Sequence, residues 1–185
     1  MKLVPIFDPT KHTLLAIQYD GEEDDEYKKA LNNWADVTYL RNFFKEHETD
    51  LLHGFYQFSS INAAIYETLE IAKDLEDLIY YNADGEATQI ENMLQSIFKP
   101  LNNNDTSIYE LQKSKFKNSW SRIYAIRIAP NCYVVTGSAI KLVLNMDEKD
   151  YLQSELQNLE RVKNFLIEEG LTDEDSFEFI ELNGK

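Results

Sequence analysis

The sequence predicts an α+β fold: a small antiparallel sheet packed by several helices. The sheet combines an early strand with a C-terminal three-strand meander, and a long helix follows the meander. Three observations carry this reading. Apolar residues step by three or four over 60–81 and again over 148–168, the period of a helix with one buried face. Over 121–144 they instead run almost unbroken between turn residues, as in strands covered on both faces. Asn102-Asn103-Asn104-Asp105 marks the change of period. A chain of 185 residues with 43% apolar residues can bury one core. The domain is read as 1–185, with an internal division at 102–105 as the alternative.

Each element has a local cause. Leu3 to Phe7 reads as a short edge strand, limited by Pro5 and Pro9. Thr13 to Tyr19 is apolar and stops at Asp20-Gly21, a strand ending in a turn. The acidic run 22–26 suits the amino end of a helix carrying Tyr27, Leu31 and Trp34. Asp36 is an N-cap for Val37 to Glu46, whose inward residues are Leu40, Phe43 and Phe44. Ser59 or Ser60 caps the helix over 60–81, and a further helix from Ala87 to Phe98 stops before Pro100. Ser121 to Ala129 and Cys132 to Thr136 form a hairpin around Pro130-Asn131; Gly137 is expected to break the second strand, and Ala139 to Leu144 to make a third. The helix over 148–168 presents Leu152, Leu156, Leu159, Val162, Phe165 and Leu166, and Gly170 stops it. Thr172-Asp173 caps a short final turn carrying Phe177 and Ile180.

Composition excludes several function classes. The net charge of −15 disfavours whole-surface attraction to nucleic acid or to an anionic membrane. No apolar run reaches the ~20 residues of a bilayer span, and Met1 to Asp8 is too short and broken for a secretory segment, so a cytoplasmic protein is expected. The single Cys132 excludes an internal disulfide and a zinc-finger cluster, and reads as a buried, inert thiol. No metal site is expected: the histidines, His12, His47 and His53, lack ligand spacing and lie near polar loops, which predicts solvated roles. The acidic run 20–26 lacks the ligand alternation of a calcium loop. Six scattered glycines make no phosphate loop, so no cofactor is expected; Gly137-Ser138 lacks the second glycine of a nucleophile elbow.

Charge is nevertheless unevenly placed. Leu111 to Met146 contains no Asp or Glu and carries Lys113, Lys115, Lys117, Arg122, Arg127 and Lys141, a net of +6; the remainder carries −21. Such an island either docks against acidic helices or forms an anion site. In an extended chain Lys113, Lys115 and Lys117 point to one side, a nucleic-acid-binding arrangement. Arg122 and Arg127 lie five apart and face opposite sides of a regular strand, unless a bulge reunites them. Tyr124 shares the side of Arg122. With a two-residue loop at 130–131, Tyr133 falls there too, and Thr136 and Ser138 fall opposite. Arg, Lys and Tyr together can hold a phosphodiester, stabilise developing charge and move protons.

From Trp120-Ser121-Arg122-Ile123-Tyr124 through Ala139-Ile140-Lys141-Leu142 the chain resembles the central meander of RelE/HigB-like toxins, and it is also similar to bacterial proteins of unassigned function. The resemblance covers about 35 residues of alternation with a few charges. It implies a small α+β fold, metal-independent messenger-RNA cleavage at the ribosome, and neutralisation by an antitoxin protein. Carried over by position, it assigns catalytic roles to Arg122, Arg127 and Lys141, and more loosely to Tyr133. The chain departs from the family in being long and acidic, in its additional helices, and in having no His near the meander. Three functions follow as expectations: a toxin-like RNA-directed protein; a non-enzymatic acidic module that binds a basic protein or mimics nucleic acid; and a small-molecule enzyme without a familiar motif.

Overall fold

The computed structural model describes residues 1–7, 14–101, 109–129 and 131–172. The linker 102–105, Pro130, His12 and the final turn with Phe177 and Ile180 lie outside the described residues. Six strands form one sheet: β1 (Lys2–Pro5), β2 (Leu14–Gln18), β3 (Phe98–Pro100), β4 (Glu110–Ser114), β5 (Ser121–Ala129) and β6 (Cys132–Ile140). Their spatial order is β1-β2-β6-β5-β4-β3. All neighbours are antiparallel except β2 and β6, which run parallel, so the α+β sheet is mixed.

Helices cover both faces. On one lie α1 (Glu26–Ala35), α2 (Val37–Glu46), α3 (Glu48–His53), α4 (Ile61–Asn82) and α5 (Ala87–Ile97); on the other lies α6 (Asp150–Glu168). The larger core sits under α1–α5 and contains Trp34, Phe44, Leu75 and Ile90 against Ile123, Ala125 and Val135. It draws residues from both sides of 102–105. The smaller core joins Leu152, Leu159, Val162 and Leu166 of α6 to Ile17, Tyr124, Ile126 and Val134. Strict alternation along β5 sends Ile123 and Ala125 to one core and Tyr124 and Ile126 to the other, which explains why the strand reads as apolar throughout.

Helix ends follow the side chains available. The Asp36 carboxylate accepts from the N–H groups of Thr38 and Tyr39 at 2.7 and 3.1 Å, and Ser60, not Ser59, caps α4 through Ala63 N–H at 3.2 Å. After α6, Gly170 adopts φ +71, and the N–H of Leu171 reaches the Leu166 carbonyl at 2.9 Å, closing a Schellman turn. Buried Trp120 donates its indole N–H to Thr68 Oγ1 at 2.9 Å and meets the rings of Phe44, Tyr56 and Phe58 edge-on.

The meander differs from its sequence reading. Gly137 does not break β6, which continues to Ile140; Thr136 is the extra residue of a bulge opposite Tyr124–Ala125. The third meander strand is therefore β4, before the hairpin, and not 139–144. The glycine serves a different need: a Cβ there would stand 1.9 Å from Glu155 Oε2. A second irregularity, between Arg127 and Ala129, pairs Tyr133 with Arg127 and turns the tyrosine to the opposite side from the one expected. Among the described residues no helix is long and apolar enough to cross a membrane.

Candidate functional site

Three basic residues meet on the α6 side of the sheet. Lys113 on β4 lies opposite Tyr124, and Arg122 on β5 lies opposite Ala139; both partners belong to the core beneath α6. Lys141 follows β6 directly. Lys113 and Lys141 line one groove of about 470 Å³, whose apolar walls include Leu111, Met146 and Leu156 and whose one carboxylate among the described residues is Glu160. Arg122 stands near enough to act on both lysines electrostatically.

Backbone carbonyls hold these cations. Lys113 Nζ donates to the Leu101 carbonyl at 3.4 Å, and Lys141 Nζ to the carbonyls of Val143, at 2.7 Å, and Leu144. The Arg122 guanidinium donates to the carbonyls of Ser119 and Ser121 and, at 3.4 Å, to the Tyr56 hydroxyl. None of the three forms an ion pair with a carboxylate among the described residues. Burial, and after it the charges of Lys115 and Arg122, hold Lys113 below the usual lysine range; burial, then Arg122 and Lys113, do the same to Lys141. An anion in the groove would relieve that repulsion.

The other expected site residues go elsewhere. Lys115 is exposed just after β4. Lys117 sits in a short turn at φ 50 and pairs with Asp74 of α4, so the three alternating lysines do not share a side. Arg127 faces the α1–α5 side, 3.5 Å from Glu110 and 5.9 Å from the centre of the Tyr133 ring. Tyr133 is buried and stacked on Phe98. Neither bulge reunites the arginines. The structure thus brings together Lys141, Arg122 and Lys113 and separates them from Arg127 and Tyr133 by the thickness of the sheet. Cys132 is buried. His53 is exposed as expected, but His47 is not a solvated residue: its ring packs 4.5 Å from Phe43 and 5.1 Å from Tyr151.

Compared with family models, curated proteins and solved structures, the chain matches none of them. The likeness to the RelE/HigB meander rests on the residues quoted above. Sequence reasoning missed Glu160 and Met146 as groove residues. Their only sequence signal is a place on or just before a long helix, which they share with many others.

Proposed function

We propose that the protein is an RNA-directed binding protein that holds a phosphodiester segment in the groove between β4, the end of β6 and α6. The carrying observation is that Lys113 and Lys141 share this groove, with Arg122 near enough to act on both and none of the three in an ion pair among the described residues, in a chain of net charge −15. Lysine ammoniums bind phosphate as point charges, and a fixed guanidinium adds directed donors. In the toxin-like reading, cleavage would draw on Arg122, Arg127, Lys141 and Tyr133 together. Their division between two faces supports binding without strand cleavage. RNA or the ribosome, met in the cytoplasm, is the partner this reading implies.

The test is fluorescence anisotropy with a labelled single-stranded RNA at about 50 and 200 mM salt. Lys113→Ala/Lys141→Ala is expected to weaken binding at least about tenfold and flatten its salt dependence, while Lys117→Ala, already paired with Asp74, changes little. The RNA should remain full-length, and induced expression should leave bacterial growth unaffected. Equal binding by wild type and the double variant, both shown folded by circular dichroism, sinks the reading.

An acidic interaction module has its own supporting observation. The outward face of α4 presents Glu67, Glu70, Glu76 and Asp77 beside Tyr66, Tyr80 and Tyr81, which are 65%, 76% and 79% exposed. Aromatic rings among carboxylates suit a basic protein partner, the role an antitoxin-like protein would fill.

A further inference from the structure

A second cleft, of about 570 Å³, lies between α2, the C-terminal half of β6 and the start of α6. It exists because β2 stops pairing with β6 after Ala16 and Val135. Beyond that point the sheet edge is closed by side chains: the Tyr19 hydroxyl donates to the Thr136 carbonyl and the Tyr151 hydroxyl to the Ile140 carbonyl, each at 3.0 Å. The rings of Tyr39, Phe43 and Tyr151 line the cleft and pack on one another, Tyr39 stacked on Phe43 and Tyr151 edge-on to it.

Glu155 reaches the cleft from α6 and lies against Gly137. Its Oε2 is buried and has no hydrogen-bond partner among the described residues. A buried acceptor without a donor is costly, on the order of 1–3 kcal/mol, and invites one. The charge inventory sets the sign of that donor. Glu46 and Asp150 also line the cleft. The Lys149 ammonium is engaged by Asp50, and Lys29, from α1, by Glu22 and Glu26. Burial lowers the basicity of His47, which favours its neutral ring. The free charge around the cleft is therefore negative and its walls are aromatic, the combination that selects an organic cation over an anion or a neutral ligand.

We propose that this cleft binds a small organic ammonium with an apolar body, its nitrogen donating to Glu155 and its body lying against Tyr39, Phe43 and Tyr151. The site is separate from the cationic groove, where the ligand sign is opposite, and stands without it. Burial, reinforced by the Glu26 carboxylate and opposed by Lys29 and by a hydrogen bond with Asn158, pushes the Glu155 carboxyl up to about 8, so it is largely protonated at neutral pH. Tyr19, Tyr39 and Tyr124 face it as hydroxyls, since burial raises each of them above its ordinary value. Binding a cation ionises Glu155 and expels its proton.

Titration calorimetry of the full chain with 2-phenylethylamine and its neutral counterpart 2-phenylethanol tests this. The amine should bind and the alcohol should bind at least about tenfold more weakly. Repeated at neutral pH in buffers of different ionisation enthalpy, the amine titration should release close to one proton per site from the wild type and none from Glu155→Gln. Glu155→Gln should weaken the amine about tenfold or more while leaving the far-ultraviolet circular dichroism unchanged. Tyr39→Ala, at the exposed rim of the cleft, is a second variant that should weaken the amine without touching the carboxyl. Equal binding of amine and alcohol, binding retained in Glu155→Gln, or no heat with the amine at millimolar concentration would each overturn the proposal.

Discussion

Glu155 makes one residue responsible for a pH dependence of stability. Its carboxyl is raised from 4.5 to about 8 in the folded chain, so between those values the folded state holds a proton that the unfolded state has released. The sign follows: the protonated carboxyl's contribution is fully present below about pH 4.5 and is lost as pH rises towards 8. Discounting for its partial exposure, the loss is on the order of 2–3 kcal/mol. Urea unfolding at pH 5 and pH 8 should show Glu155→Gln gaining stability relative to wild type at the higher pH; an equal difference at both values would exclude Glu155 as the cause. Gly137→Ala should disturb the same carboxyl, because the added Cβ meets Oε2 at 1.9 Å. Neither Glu155 nor the need for Gly137 was legible in the sequence. A glutamate among 33 acidic residues reads as solvated, and a glycine in a strand reads as a break. What distinguishes them is contact between β6 and α6, across a gap that no sequence period encodes.

At the scale of elements, capping and buried hydrogen bonds decide where helices start and how they dock. Removing the Asp36 side chain, which satisfies two amides at the start of α2, should cost about 1 kcal/mol, read as a lower urea midpoint for Asp36→Ala. Thr68→Val keeps the shape of a buried α4 residue but strands the Trp120 indole N–H on the sheet side. A loss of about 1–3 kcal/mol is expected, and a neutral result would mean that the indole finds another acceptor. The cap at Asp36, a serine cap at 59 or 60, and the stop at Gly170 were readable from residue type alone, because a cap is local chemistry; the structure chose Ser60. Strands β3 and β4 were not. They are short, and β4, Glu-Leu-Gln-Lys-Ser, carries polar residues that become buried only by pairing, as Gln112 and Ser114 do. The register of β6 also escaped, since two irregularities shift it by one residue each and a single shift moves a side chain to the other face.

For the whole molecule, the three-layer order places one long helix alone on a face. Leu152, Leu159, Val162 and Leu166 are buried there, each contributing roughly 1.5–3 kcal/mol by removal from water. Their sum, an upper estimate, is comparable to the net stability of a typical domain, ~5–15 kcal/mol. A chain ended after Lys149 should therefore lose cooperative unfolding and expose the apolar underside of β5 and β6, seen as binding of a hydrophobic dye. A cooperative urea transition in that truncated chain would show that α6 is dispensable. The same layering separates the charges. The basic island was visible in the sequence as an acid-free stretch, yet its six cations divide among a groove, two ion pairs, solvent and, for Arg122, the backbone carbonyls of Ser119 and Ser121. By itself the sequence determined the α+β class, the helices with strong apolar periodicity, the caps and the uneven distribution of charge, because each depends on residues close along the chain. Only the tertiary structure decided which cations share a groove, that Arg127 and Tyr133 turn away from them, and that one buried oxygen of Glu155, Oε2, has no hydrogen-bond partner among the described residues. Those outcomes depend on strand register and on which helix covers which face, and both are settled by packing between residues far apart in sequence.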